Sequence, residues 1–326
     1  MKREDSVRKR IKNSYILKRL LFLVPVILGV SFITFGLMYI SPNDPAEMML
    51  LAQGTPIEPE ILQKMQQRMG LDKPFLEQYI TWIFNAVRGD FGSSYVSGEP
   101  VRDMILRNIP ATLKLTFYSC LMTIVFSLPL GILSAVKQNK FTDYIIRFCT
   151  FVGVSVPGFF LSLLLMYEFS IRLKLLPVRG DSTLKGLLLP TVTLAMAMTC
   201  KYIRQIRAAI LEELGKGYVK GARARGVKER IILYKNVLKN SMLTIVTLMA
   251  MSIGYLLGGT AVVERIFSIQ GLGNMAMDAI TARDYPVVEG FVAWMALIFV
   301  LINLLADLLY RVLNPKIRLQ ASESED

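Results

Sequence analysis

The sequence predicts an all-α polytopic membrane protein with about six transmembrane helices. Three observations carry that prediction. The chain of 326 residues is 53% hydrophobic, with a mean hydropathy of +0.45, more apolar than a soluble domain of this length. Its apolar residues gather into runs near the roughly 20 residues that a helix needs to cross a hydrocarbon core about 30 Å thick. Its charges gather into blocks between those runs, where loops of a membrane protein carry them.

The runs follow in order. Leu20–Ile40, "LLFLVPVILGVSFITFGLMYI", is the first and carries no charge. It is too long for the apolar region of a signal peptide and no A-x-A site follows, so it reads as a retained anchor. Leu115–Val136 and Phe148–Tyr167 are the second and third. Gly186–Cys200 is short, and its helix is expected to continue through "KYIRQIRAAIL", with Lys201, Arg204 and Arg207 on one face. Ser241–Val263 is the fifth. Gly290–Ala306 is the sixth and extends into "DLLYRVL". An even number of spans places both termini on one side.

Lys and Arg bias sets the orientation. The tail 1–19 carries Lys2, Arg3, Arg8, Lys9, Arg10, Lys12, Lys18 and Arg19 against Glu4 and Asp5. Lys201–Lys239 is the most basic segment, whereas Ser41–Asn108 holds more acids than bases. These place the N-terminus, the loop 211–240 and the tail 314–326 inside, and segment 41–110 outside. The loop with Arg172, Lys174, Arg179 and Lys185 runs against that bias. Within the outer segment, Ile61, Met65, Met69 and then Phe75, Tyr79 and Trp82 recur at helical spacing. Pro56, Pro59, Gly70 and Pro74 punctuate it, so a small helical cap on the outer face is expected.

Composition excludes several chemistries. The chain has no His, which removes imidazole metal sites, His-based catalytic triads and imidazole proton shuttles. Cys120, Cys149 and Cys200 fall in apolar runs and read as packing residues rather than a disulfide framework. No G-x-x-x-x-G-K-[ST] loop is present, since "GKGY" at Gly215–Tyr218 lacks the framework, and no G-x-S-x-G or H-E-x-x-H motif occurs. No catalytic residue and no metal site are expected. The acids near spans, Glu168, Glu264, Asp278 and Asp307, sit near segment ends, which disfavours a proton-driven secondary carrier or channel.

One stretch carries the functional signal: "EELGKGYVKGARARGVKERIILYKNVLKN", from Glu212 to Asn240. Tyr218, Ala222 and Arg225 lie near one another at helical spacing, with small Gly221 beside Ala222. Gly226 is suited to end a helix in the left-handed conformation, and Lys228, Glu229 and Arg230 open the next one. A small-residue face lets a partner approach closely, and Arg223 and Arg225 offer forked donors to it. An amphipathic helix on anionic lipid has the same composition. Nucleic acid is disfavoured because no aromatic stacking platform accompanies the charge.

This stretch resembles the cytoplasmic EAA loop of ABC-importer permeases in the dipeptide, oligopeptide and nickel family. The E-A-A-x-x-x-G register falls on Lys220, Gly221, Ala222 and Gly226; the first two depart from the acidic-Ala pattern and the last two keep it. Asn236 stands where many members have His, Thr244 where many have Pro, and Gln270 where Pro is common. Further resemblances span nearly the whole chain: "GLDKPFLEQYITWIFNAVRGDFGSSY", "IPATLKLT", "GGTAVVERIFSIQGLGNMAMDAITARDYPVVEG" and "NLLADLLYRVLNPKIR".

The resemblance implies the type I importer permease fold, with TM1 at 20–40 and a permease core at 111–313, in a bacterial or archaeal cell membrane. It implies a second homologous permease, two cytosolic ATPase subunits that carry ATP and Mg, and an external binding protein, with no cofactor in this chain. Tyr218, Gly221, Ala222, Arg223, Arg225 and Gly226 are then the ATPase-coupling residues. In the fifth run, Met249, Met251, Tyr255 and Gly258 are candidates for the translocation path, and packing is the alternative for each. Glu264, Asp278 and Asp284 are candidates for contact with the binding protein or a cationic solute. Peptides and nickel or its chelates are both open as substrates.

Overall fold

A computed structural model of the chain describes residues 24–40, 44–52, 54–181 and 183–313. The tails 1–19 and 314–326 lie outside those residues, as does the start of the first apolar run. The described residues are helical, with turns and a single bridge between Ser93 and Pro100 in place of strands. They divide into two compact units, one within 1–110 and 271–304 and the other within 111–270 and from Leu305 on.

The first unit is built on aromatic side chains. Helix α1 (Val24–Ile40) is followed by α2 (Pro45–Ala52), α3 (Pro59–Met69) and α4 (Phe75–Val87). Gly70 closes α3 at φ +69°, donating its N–H to Gln66 and Gln67, a backbone conformation that glycine adopts without a Cβ penalty. The stripe Phe75, Tyr79 and Trp82 meets Phe32, Phe35 and Tyr39 of α1, mostly edge to face at 5.1–6.4 Å. Tyr79 fixes the pairing by donating its hydroxyl to the Leu28 carbonyl at 2.9 Å. The helical segment read from that spacing is thus packed on α1.

The rest of this unit is the first turns of α5 (Val101–Val136), helix α12 (Leu272–Ala282) and most of α13 (Tyr285–Leu313). Val101, Ile105, Leu272, Met275, Val287 and Val288 form its apolar core. Gly290 lies so near that a Cβ there would stand 2.6 Å from Val101 Cγ1.

The second unit is centred on α8 (Leu184–Leu214), a helix of 31 residues. Thr183 caps it, its hydroxyl accepting the Gly186 N–H at 3.2 Å. The short run 186–200 does continue through the basic residues to Leu214. Helix α8 packs on α6 (Phe141–Ser155), α7 (Gly158–Leu165) and α11 (Leu238–Ile266). Its crossing with α5 is close: a Cβ on Gly131 would sit 2.7 Å from Ile206 Cγ2. Gly131→Val should therefore lower thermal stability by about 1–3 kcal/mol, an overpacking cost. Gly131→Ala should fall below that, and melting curves of the two purified variants check the order.

The third apolar run is not one straight span. It breaks between α6 and α7, which stand at 97° to each other. Pro157 has no N–H to donate and pushes Val156 into an extended conformation, φ −79° and ψ 121°. Beyond Leu165 the chain continues through wider π-type turns to Arg172. Three unbroken described helices, α5, α8 and α13, are long and apolar enough to cross a membrane, or up to five spans if the bent pairs α1 with α2 and α6 with α7 each count once. The run 241–263 falls within α11, whose side chains are described only in part. Helix α5 also begins well before Leu115 and runs unbroken through Pro110 and Pro129.

Candidate functional site

The loop after α8 folds as a short helix between two breaks. Gly215 ends α8, and α9 (Gly217–Ala224) starts two residues on. Gly226 then turns the chain at φ +77°, donating its N–H to the Arg223 carbonyl at 2.9 Å. Helix α10 (Glu229–Ile231) opens after Lys228 and leads through π-type turns into α11. The break expected at Gly226 is where the chain reverses. Gly226→Ala should cost about 1 kcal/mol, because it places a Cβ in a left-handed conformation with no steric neighbour otherwise involved. A comparison of chemical unfolding midpoints would test this.

The two faces of α9 differ. Val219 and Ala222 are 0% and 3% exposed and join the apolar cluster with Ile206, Ile210, Ile232, Val237 and Ile245. Ala222 therefore faces the chain's own core, and the expectation that it shares an outward small-residue face is corrected. The outward small residue is Gly221, which has open space around it. A helix of one turn spacing buries positions 219 and 222 together and turns 220, 221 and 224 outward.

Polar contacts hold this loop in place. The Tyr218 hydroxyl donates to Glu213 Oε2 at 2.8 Å and accepts from Asn240 Nδ2 at 3.2 Å. One phenol thereby ties the end of α8 to the start of α11. Burial pushes that phenol up, and its bond to Glu213 adds to the shift. Lys216 pairs with Glu213. Arg223 is not a free docking donor: its Nε and Nη2 reach the Glu229 carboxylate at 2.6 and 3.2 Å across the turn. That bond holds the Glu229 carboxyl below its usual range. Arg225 is exposed, and its guanidinium makes no hydrogen bond or ion pair among the described residues. Lys220 is likewise exposed.

Sequence reading missed Glu213, Glu229 and Asn240. Their partners lie across a helix break or a turn, where i,i+4 spacing says nothing.

The other candidate residues separate. Met249 is half-buried and packs on the cluster around Ile245 and Leu256. Gly258 is exposed with open space beyond it. Met251 and Tyr255 lie on α11, and their side chains are outside the described residues. Glu264 is fully buried and accepts the Thr112 hydroxyl at 2.7 Å, so it presents nothing to a docking protein. Asp284, 3% exposed, accepts the Ser94 hydroxyl and, at 3.0 Å, the Tyr95 N–H. It clamps the loop before α5 to the turn before α13 in place of the expected surface contact. Asp278 alone of the three is exposed. Among the described residues, no three Asp, Glu or Cys side chains converge on a metal-sized site.

Long apolar helices are thus joined by a cationic helix–turn–helix that is itself anchored in the helical core. Residues 127–319 match the family described as binding-protein-dependent transport system inner membrane component. Residues 13–116 match the N-terminal family of the same membrane components. The chain is 38% identical over 305 residues to the glutathione transport system permease protein GsiC of Escherichia coli K12, covering 94% of this chain and 99% of that one. It is 37% identical over 305 residues to the metal-staphylopine import system permease protein CntB of Staphylococcus aureus, covering 93% and 98%.

Two solved structures share its fold. The inward-facing MetNI methionine ABC transporter matches with TM-score 0.54 and 19% identity over 65% of this chain and 96% of that one. An amino acid ABC transporter with histidines matches with TM-score 0.54 and 18% identity over 64% and 94%. The chain belongs to the inner membrane component family of binding-protein-dependent transport systems. It is a permease subunit of an ABC importer and a multi-pass membrane protein.

Proposed function

We propose that this chain forms half of the translocation pathway of an ATP-driven importer for small peptides or metal chelates. A second, related permease supplies the other half, and an external binding protein delivers the solute. Two ATPase subunits hold the nucleotide, one of them seated on α9. In this reading the chain crosses the membrane six times in the type I arrangement, with both termini and α9 in the cytosol. The Lys and Arg excess before α1 and between α8 and α11 supports that orientation. ATP favours one arrangement of the ATPases, and α9 transmits it because it is packed rigidly on α8 and α11 through Val219, Ala222 and Tyr218.

The observation that carries the reading is similarity along nearly the whole chain to two import permeases. One is described as carrying glutathione and the other metal-staphylopine, and this supports a peptide-like or chelate cargo. The test is uptake of labelled glutathione, dialanine and chelated nickel by cells with and without this gene. Uptake that requires the chain and stops when the partner ATPases lose their phosphate-binding lysine supports the proposal. Uptake driven by an ion gradient through the purified chain alone would instead establish a secondary carrier or channel.

A further inference from the structure

A cavity of about 730 Å³ opens within the first unit, between α1, the α3–α4 segment and the start of α13. Its walls include Tyr39, Trp82, Tyr95, Tyr285 and Gln66, together with Glu289. Glu289 is 8% exposed, and its carboxylate makes no hydrogen bond or ion pair within the described residues. A buried carboxylate without a partner is unfavourable unless a cation or donor completes it. An aromatic ring carries a negative quadrupole on its face, which attracts a cation. The walls also carry Asp44, Arg68 and Lys73. Lys73 pairs with Glu77 and Asp44 accepts from Gln66, so Glu289 is the buried charge in this lining that the described residues leave uncompensated. A concave site with a few convergent polar groups suits a small ligand.

We propose that this cavity is a binding site for a primary ammonium group, with Glu289 as its counter-ion and the aromatic walls completing its shell. The nearby Tyr95 phenol is pushed up by burial, with the Glu289 and Asp284 carboxylates adding to the shift. It therefore stays protonated and offers a neutral wall to the cation. The ammonium has two possible sources, a solute arriving from outside and the ethanolamine head group of a lipid. The site rests on the cavity, and the importer reading bears only on which source fills it.

The chain has two tryptophans, so Trp294→Phe leaves Trp82, in the cavity wall, as the sole reporter. The experiment follows Trp82 emission of the full chain in nanodiscs of phosphatidylcholine with phosphatidylglycerol. Dialanine should shift the emission saturably, and N-acetyl-dialanine, whose amine is blocked, should not. Glu289→Gln should weaken the response at least about tenfold, whereas Glu289→Asp, which keeps the charge, should weaken it less than about threefold.

Nanodiscs in which phosphatidylethanolamine replaces phosphatidylcholine form the second arm. A Trp82 shift between the two lipids that Glu289→Gln removes supports the head group as the source. Melting curves of the Gln and Asp variants confirm that each is folded. An equal response to the acetylated peptide, or a response unchanged by Glu289→Gln, overturns the proposal. So does the absence of any response in both arms. Dialanine binding at Trp82 without dialanine uptake by cells would refute the peptide cargo and leave the site standing.

Discussion

Asp143→Ala is expected to destabilise the purified chain by about 3 kcal/mol, because it strands a charge that is mostly buried. The Asp143 carboxylate is fully buried. Arg207 grips it with Nε at 2.9 Å and Nη2 at 2.8 Å, the two-pronged geometry for which guanidinium is suited. The Ser134 hydroxyl donates to the same carboxylate at 2.5 Å and the Asn139 N–H at 3.0 Å. One side chain thus joins the end of α5, the turn after it and the start of α6 to the middle of α8. Without it, Arg207, 19% exposed, keeps its charge in a site that water reaches poorly. Arg207→Leu should cost a comparable amount. The double variant should cost less than the sum of the two, with a coupling above about 1 kcal/mol. Thermal unfolding in detergent of the four proteins gives the cycle. A loss below about 0.5 kcal/mol for Asp143→Ala would show that the pair adds little.

Ala222→Asp is expected to block most transport from a position buried in the chain's own core. Ala222 sits among apolar side chains of α8 and α11, and a carboxylate there costs roughly 3 kcal/mol without a partner. Helix α9 then loses its seat on the core. Under the coupling proposal, ATP hydrolysis by the assembled importer should persist while uptake falls below about a tenth of the parent rate, a barrier change of roughly 1.4 kcal/mol or more. Ala222→Ser, small enough to bond back to its own helix, should retain most uptake. Parallel hydrolysis and uptake assays on one reconstituted preparation separate the outcomes. Uptake unchanged in the Asp variant would mean that the seating of α9 does not limit transport.

These two sites differ in how far the sequence disclosed them. The α9 loop was legible because it is local. Its small residues, its charge and the break at Gly226 all fall within a few turns, where helix propensity and glycine's left-handed freedom act directly. The Asp143–Arg207 pair was not legible, because 64 residues separate its members and no short-range rule joins them. Arg207 reads on spacing as one more charge on a basic face, yet packing turned it inward onto α6. Ala222 shows the same limit at close range. Spacing puts it on a face with Tyr218, but only the position of α10 and α11 says which face is covered.

Prolines make the division plain. Pro110, Pro129 and Pro190 lie inside continuous helices, whereas Pro157 separates two helices at 97°. All four lack the N–H, so local chemistry predicts a defect at each. Whether the helix continues depends on whether neighbouring groups restore the lost bond and accept the altered path.

The sequence by itself determined that this is a helical membrane protein, where its apolar runs lie, and that its cationic loop is a short helix ended by glycine. Each of these follows from side-chain transfer energies and from backbone preferences within a few residues. Only the tertiary structure decided that the third run is bent, that Glu264 and Asp284 are interior residues, that Arg223 is already paired, and that Glu289 faces a cavity. Those outcomes depend on which distant side chains meet, and burial assigns a charge its partner only after the helices have packed.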